Sequence, residues 1–437
     1  MSSQRVLLVV HNHPELLVGG VEMYLKNLYD AFLETDGVEP ILLARAGRPF
    51  TPTDAPHEDT PLALVNEDPN QYLLYTDFWD FDQLFGRLDK TKGEIARAFE
   101  EFLLAQRPDV IHFQHSTYLG YDMVRVARNT LPDVPIVYTF QEYWPICHRA
   151  GQMVRTRNNE LCPEESPRRC NECFPEIEPE TFYMRKRFIQ SQLALVDHFI
   201  APSRFLLQRY VEWGIPAERI MHEDYGFRQV TAAPVQDDAP GNRFGFFGQM
   251  NPYKGVDVLL RAMESLGPDF EGHLTIHGAN YDLAPAELRL ELDRLLDETR
   301  ATVTYAGPYE NEDLPRLLEE VDWVVVPSIW WENAPLVISE SFMNGRPVIC
   351  SDIGGMAEKV TDGVNGLHFM RGDHEHLADV MYRAATAPGL WDRLREGIRP
   401  PNPMADHVGL LCRLYARLID ERAADRVERV LQEAAGG

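Results

Sequence analysis

Two doubly wound α/β domains in tandem, joined by a short linker, form the fold class this sequence predicts. Three observations carry it. Short apolar runs alternate with stretches of helical periodicity along most of the chain. Uninterrupted apolar runs suit strands buried on both faces, and strand–helix alternation requires a parallel sheet. A Pro/Asp/Gly-rich segment at 231–242 then breaks the alternation, which restarts beyond it. Finally, 437 residues exceed what one core ordinarily fills.

Composition narrows the partners. The hydrophobic share is 44% and the charged share 25%, both usual for a globular protein. A formal net charge of -26 excludes nucleic acid as the main partner, because phosphate neutralisation needs clustered Lys and Arg. The apolar run near the N-terminus is short and meets His11, Asn12 and Pro14 at once, unlike a secretion signal. No stretch reaches the length of a membrane span. The expectation is a cytoplasmic protein with at most peripheral contact at the inner face of a membrane. In that compartment the six cysteines are not expected to form structural disulfides.

The first domain is assigned to 1–230. It opens with a strand at 5–10, a Gly19-Gly20 loop, a helix at 21–33 and a strand at 40–44. Further strands are predicted at 109–114, 135–140 and 198–203, with helices between them. Two insertions interrupt it. Residues 51–85 contain no Lys or Arg but carry Tyr72, Tyr75, Phe78, Trp79, Phe81 and Phe85. These aromatics either line an acceptor or pack the insert onto the domain. Residues 143–180 hold four of the six cysteines.

After the 231–242 linker, the second domain covers 243–403. Strands are predicted at 243–247, 273–277, 303–306, 323–326 and 347–352, with helices at 256–266, 285–299 and 312–320. Residues 404–437 follow Pro400-Pro401 and carry a strong helical pattern over 405–433, expected to pack back on the first domain.

Chemistry concentrates in three stretches of the second domain. Residues 246–255 read F-F-G-Q-M-N-P-Y-K-G: a strand ends at Gly248, and Lys254-Gly255 opens a helix. A lysine there opposes the helix dipole unless an anion is present, and it can neutralise a diphosphate as a point charge. Residues 327–340 read P-S-I-W-W-E-N-A-P-L-V-I-S-E. Pro335 is expected at the first helical position, where its missing N–H costs nothing. The amides of Leu336 and Val337 are then orphan donors suited to an anion. Carboxylates beside such a site, Glu332 in the loop and Glu340 in the helix, fit sugar hydroxyls better than phosphate. Residues 352–358, D-I-G-G-M-A-E, follow a strand and enter a short helix, with Gly363 and Gly366 expected in a turn.

The combination Gly248…Lys254-Gly255, Glu332-x7-Glu340 and Gly354-Gly355…Glu358…Gly366 resembles the retaining glycosyltransferases of the GT-B fold, group 1 (family 4). Gly19-Gly20-Val21-Glu22 and Ala201-Pro202-Ser203 with Gly214 and Gly226 extend the resemblance over nearly the whole chain outside the two insertions. It implies two Rossmann-like domains facing a central cleft, the first on the acceptor side and the second binding the nucleotide sugar, with the last helix crossing back. The implied activity is retaining transfer of a sugar from a nucleotide-diphosphate sugar to a carbohydrate, lipid-linked or small-molecule acceptor, in surface polysaccharide or glycoconjugate assembly. No catalytic metal or cofactor is implied.

The same resemblance implies residue roles. Lys254 contacts the donor diphosphate, Glu332 the transferred sugar and Glu340 the ribose. Gly248, Gln249, Asn333, Leu336 and Val337 complete the donor pocket, and Gly19 and Gly20 reach the diphosphate from the opposite domain. His115, at the end of its strand, lies near the sugar, so His115, Lys254 and Glu332 are the catalytic candidates. One position departs from the family: Gln249 stands where an Arg is usual, which removes a positive charge. Two alternatives stay open. One is a sucrose-type or sugar-phosphate synthase of the same fold. The other is a weakly active relative serving as a binding or assembly subunit.

The cysteines read Cys147-x14-Cys162-x7-Cys170-x2-Cys173. Four thiolates with a C-x2-C pair suit a closed tetrahedral Zn²⁺ site, with His148 as a substitute ligand. An iron–sulfur cluster and unpaired thiols are the alternatives. Cys350 and Cys412 read as core residues. Arg185-Lys186-Arg187 is a candidate contact for anionic lipid headgroups.

Overall fold

The computed structural model describes residues 3–17, 19–47, 61–65, 68–76, 90–228 and 241–436. Phe78, Trp79, Phe81, Phe85 and the expected linker up to residue 240 lie outside the described residues. The chain forms two compact units, one of Met1–Arg228 with Asn402–Gly437 and one of Gln229–Pro401.

The first unit contains β1 (Gln4–Val10), α1 (Gly20–Leu33), β2 (Val38–Ala46), β3 (Leu62–Val65), β4 (Asp68–Tyr75), α2 (Lys90–Gln106), β5 (Val110–Phe113), α3 (Met123–Thr130), β6 (Ile136–Thr139), α4 (Pro167–Cys173), α5 (Pro179–Leu193), β7 (His198–Ala201), α6 (Arg204–Trp213) and β8 (Ile220–His222). Its sheet runs β3-β4-β2-β1-β5-β6-β7-β8. Among the described residues of this sheet, only the β3–β4 pairing is antiparallel. Val6 to Val10 are all fully buried, as expected of a central strand covered on both sides. Ser203 caps α6 by accepting a hydrogen bond from the Leu206 amide at 3.1 Å.

The second unit contains β9 (Arg243–Gln249), α7 (Val256–Leu266), β10 (His273–Ala279), α8 (Ala286–Glu298), β11 (Val303–Gly307), α9 (Leu314–Leu318), β12 (Trp323–Val326), α10 (Leu336–Met343), β13 (Val348–Ser351), α11 (Gly354–Lys359), β14 (Gly366–Phe369), α12 (His374–Thr386) and α13 (Leu390–Glu396). Its sheet is entirely parallel, in the order β11-β10-β9-β12-β13-β14. Alternate residues of β12 serve opposite faces: Trp323 and Val325 join the core that includes Leu259, Ile276 and Met381. Val324 and Val326 join the one that includes Leu318, Ile338 and Met356. Period-two side-chain alternation thus gives the sheet an apolar layer on each side.

The last helix, α14 (Met404–Gly436), belongs to the first unit. Tyr24 of α1 and His407 share a 2.8 Å hydrogen bond, and His112 of β5 and Tyr415 share one at 2.6 Å. Arg422 and Arg429 pair with Asp197 and Asp133. Among the described residues, no helix is long and apolar enough to cross a membrane.

Four details differ from the sequence reading. Part of the 51–85 insertion is sheet: β4 extends the sheet beyond β2, and Tyr72 packs edge-on to Phe102 of α2 at 4.9 Å. The mixed polar pattern of D-P-N-Q-Y-L-L-Y hid a strand next to the sheet's edge, in which Leu74 is buried and most other residues are partly exposed. β9 runs on through Gly248 to Gln249, which pairs with Ala279. Gly366 both closes the expected turn, accepting from the Gly363 amide at 2.9 Å, and opens β14. Pro335 stands one position before the first helical residue, with φ -59° and ψ 120°. That ψ is extended, and the helix begins with Leu336.

Candidate functional site

The ends of β9 and β12 and the start of α10 gather the predicted donor residues of the second unit. Lys254 follows β9 in a turn closed on Asn251, whose side-chain oxygen accepts from the amides of Tyr253 and Lys254 at 3.0 and 3.2 Å. Glu332 follows β12. Lys254 Nζ lies 2.6 Å from Glu332 Oε1. The same oxygen accepts from Ser328 Oγ at 2.8 Å and Trp330 Nε1 at 2.9 Å. Burial alone would raise the Glu332 pKa. The Lys254 charge and the three donors outweigh it and hold the carboxyl below its usual range. Lys254 also lies 6.0 Å from the Trp330 ring centre, and Tyr253 contacts the same ring at 5.8 Å.

Glycines let these loops approach one another. A Cβ on Gly255, at φ 68°, would lie 2.0 Å from the Pro327 carbonyl oxygen. One on Gly355 would lie 1.8 Å from that of Asn333, and the Gly355 amide donates to Glu332 O at 2.9 Å. The Gly354-Gly355 pair therefore seats the Glu332–Asn333 loop on α11. Arg371 ties the other side, donating from Nε to the Ile329 carbonyl.

Glu340, in α10, is pushed up to about 7 by burial, opposed by a hydrogen bond with Asn311. Leu336 and Val337 form the first turn of α10, where amides precede the first intrahelical acceptor. Asn333 is half-buried in the preceding loop. Gly248 is half-buried and Gln249 exposed at the end of β9. Ser328, Trp330 and Arg371 were missed by the sequence reading. The first two flank Glu332 within the motif and could have been found there. Arg371 is 39 positions further along and only the sheet order brings it close.

The first unit holds a second polar cluster, at the C-terminal ends of β1, β5 and β6. Gly19 precedes α1 and Gly20 opens it, beside Glu22. Glu22 Oε1 lies 3.2 Å from His11 Nε2, and the His11 and His115 rings are 4.0 Å apart. His115 Nε2 in turn lies 3.7 Å from Glu142 Oε1, and its Nδ1 accepts from the Thr117 amide at 3.1 Å. Burial raises Glu22 to about 7 and lowers His11 to about 3. It also raises Glu142 and lowers His115. Both imidazoles are therefore neutral near pH 7. Of this cluster, His115, Gly19 and Gly20 were in the predicted site. Glu142 lies three residues past the end of β6, and its pairing with His115 depends on β5 lying beside β6.

Cys147, Cys162, Cys170 and Cys173 are free thiols, each partly buried. Among the described residues, no three His, Cys, Asp or Glu side chains are grouped so that they could hold a metal ion, so the expected four-cysteine arrangement is not formed. His148 packs edge-on to Phe174 and Phe182, at 4.9 and 5.6 Å. Cys350 is buried, and Cys412 only partly. The Arg185-Lys186-Arg187 run is mostly spent inside the unit. Arg185 is buried and donates to the carbonyls of Trp144 and Pro145, while Lys186 lies 3.7 Å from Glu165.

Comparison with known proteins agrees with this architecture. Residues 241–386 match the family described as glycosyl transferases group 1, and residues 18–222 match glycosyltransferase family 4. A D-inositol 3-phosphate glycosyltransferase of Nocardioides sp. is 26% identical over 270 residues, 58% of this chain and 57% of that protein. The chain thus spans little more than half the length of that relative. Sucrose-phosphate synthase from Thermosynechococcus elongatus superposes with a TM-score of 0.70 at 20% identity, over 96% of this chain and 100% of that one. Anabaena Alr3699/HepE in complex with UDP does so with a TM-score of 0.60 at 15% identity, over 98% and 100%. Family models cover both units and the fold is shared along nearly the full length; the chain belongs to the group 1, family 4 glycosyltransferases and has their GT-B fold.

Proposed function

We propose that the protein transfers a sugar from a nucleotide-diphosphate donor to a carbohydrate, lipid-linked or small-molecule acceptor, with retention of configuration and without a catalytic metal. The observation that carries this reading is the Lys254–Glu332 pair, 2.6 Å apart, beside the first turn of α10. Lys254 supplies the positive charge a leaving diphosphate needs, and the first amides of α10 add a preorganised partial charge. Glu332, buried and held by three donors through one oxygen, keeps an ionised carboxylate in a fixed orientation. Such a group suits the hydroxyls of the transferred sugar. Glu340 accepts from the ribose when ionised.

The HepE structure is a complex with UDP, which supports a nucleoside diphosphate as the ligand class. In the first unit, neutral His115 can donate to an acceptor or sugar hydroxyl from the ring nitrogen facing Glu142. The acceptor proton passes to the leaving phosphate in this reading, so no separate base is assigned. Surface polysaccharide or glycoconjugate assembly, at the cytoplasmic side of the cell, is the setting that family membership suggests.

The test is a panel of UDP-, GDP- and ADP-sugars with sugar and lipid-linked acceptors, scored by release of nucleoside diphosphate and by product anomer in NMR. The expected result is turnover with one nucleotide class and a product that keeps the donor's anomeric configuration. An inverted product contradicts the assigned stereochemistry, and a strict requirement for added divalent metal contradicts the metal-independent chemistry.

A further inference from the structure

His115 and Glu142 stand where two strand ends meet, and the gap between them has a chemical use. β5 and β6 pair in parallel, so the segments leaving them run side by side at one edge of the sheet. Gln141 Nε2 donates to Gln114 Oε1 at 3.1 Å and ties these segments together one residue before Glu142 and His115. Tyr225 OH donates to Gln141 Oε1 in turn.

Each side chain is then fixed separately. The Thr117 amide donates to His115 Nδ1 at 3.1 Å. Nδ1 is therefore the unprotonated nitrogen of the neutral ring, and Nε2 carries the hydrogen. The His11 ring packs on His115 at 4.0 Å and 33°. The Glu142 carbonyl accepts from Tyr210 OH of α6 at 2.6 Å, and Oε2 of its carboxyl accepts from the Trp144 amide. Arg185 of α5 donates to the Trp144 and Pro145 carbonyls and holds the same turn.

What remains is Nε2 facing Oε1, 3.7 Å apart. That is beyond a direct hydrogen bond, yet one oxygen atom can sit about 2.8 Å from both. Among the described residues, neither atom has a hydrogen-bond partner. The two side chains keep 7% and 20% of their surface exposed, which leaves both open to a ligand. An occupant of the gap has to accept from N–H and donate to a carboxyl oxygen. A hydroxyl does both, whereas the oxygen of an ionised phosphate or carboxylate has no hydrogen to give. Burial lowers the His115 pKa and keeps the ring neutral, so no ion pair closes the gap. Desolvation raises the Glu142 carboxyl against the Arg185 charge, and a carboxyl oxygen accepts in either protonation state.

We propose that His115 and Glu142 together bind one hydroxyl of a substrate, Nε2–H donating to its oxygen and Glu142 Oε1 accepting its hydrogen. Glu142 is then a specificity-determining residue, because a site built around a hydroxyl rejects the analogue that lacks it. This rests on the reading of His115 as a substrate-facing residue of the transferase. The hydroxyl belongs to the transferred sugar or to the acceptor, and the test separates the two.

The experiment uses the full chain with the nucleotide sugar and acceptor that turn over in the panel above, and with singly deoxygenated analogues of each. In the wild type one analogue should lose about tenfold or more in kcat/KM. Glu142→Gln keeps the size of the side chain. Its amide oxygen stays toward the Trp144 N–H, so its NH2 faces His115 Nε2 and cannot accept. The variant should lose about tenfold or more with the complete substrates and nothing further with that one analogue. Whether the analogue is of the donor or of the acceptor identifies the source of the hydroxyl. If Glu142→Gln does not fold, a crystal structure of the wild type with the same substrates decides. A substrate hydroxyl within about 3.2 Å of both Nε2 and Oε1 supports the assignment, and substrates with no oxygen there overturn it. Unchanged kcat/KM in folded Glu142→Gln, or deoxygenation penalties that all survive in it, overturns the proposal alone. No turnover by the wild type with any donor overturns it together with the transferase reading.

Discussion

Glu332 shows how one carboxylate is kept charged in a buried place. Three donors converge on Oε1, one of them the Lys254 ammonium. Breaking such a pair leaves an uncompensated charge behind, whereas replacing both members loses less. Lys254→Ala should therefore destabilise the second unit by about 1–3 kcal/mol, the lower part of the range reflecting a partly exposed lysine. Lys254→Ala combined with Glu332→Gln should recover part of that loss; denaturant melts of the wild type, the two single variants and the double variant give the coupling. Glu332→Gln alone should cut turnover by about 100-fold or more if the carboxylate acts in the transition state.

Glu340 carries a pH signature with the opposite sign. Its pKa is raised from 4.5 to about 7 by burial, so the folded chain binds this proton more tightly than the unfolded one. Its contribution to stability falls as pH rises from about 4.5 to about 7 and is then constant. Glu340→Gln should lessen the fall in melting temperature over that window. If the ionised carboxylate holds the ribose, nucleotide affinity of the wild type should rise from pH 6 to pH 8, and the variant should show a flatter profile in calorimetry.

At the scale of elements, the site is held by close backbone approach. Gly355→Ala places a Cβ against the Asn333 carbonyl, so the loop carrying Glu332 must shift or α11 must give way. A loss of about 2–3 kcal/mol in thermal or denaturant melts is expected, with weakened nucleotide binding. Gly363→Ala serves as the comparison, since its Cβ would meet nothing within 4 Å although its φ of 72° is strained.

The buried strands and their order of appearance were legible, because continuous apolar runs such as V-L-L-V-V have no other stable place. Lys254 and Glu332, both singled out by the motif resemblance, stand 2.6 Å apart. The β3–β4 edge was not legible, since partly solvated residues carry little hydrophobic signal. Nor was the His11–Glu22 and His115–Glu142 cluster readable, because strand neighbours are set by topology rather than by distance along the chain. Pro335 was read one position too far into its helix, as its fixed φ suits both the position before α10 and its first residue.

Across the whole molecule, the last helix completes the first unit rather than the second. Leu411 and Tyr415 are fully buried, and His407 lies between Tyr24 and Glu223, 2.8 and 3.0 Å from each. Ending the chain at residue 403 should thus unfold or aggregate the first unit, visible as lost helicity beyond the helix removed and early protease cleavage within residues 90–228. The net charge of -26 is spread through a chain whose proposed donor site is marked by a single lysine. Gln249, exposed at the end of β9, gives a direct way to add charge there: Gln249→Arg should tighten nucleoside diphosphate binding and make it more salt-sensitive.

The measurement that bears most directly on the central claim is calorimetric titration of the wild type and of Lys254→Ala with UDP, GDP and ADP. The account predicts saturable binding of at least one nucleotide to the wild type, weakened about tenfold or more in the variant by loss of the cation. Absence of binding to the wild type by all three, or equal binding to a folded Lys254→Ala protein, would contradict it.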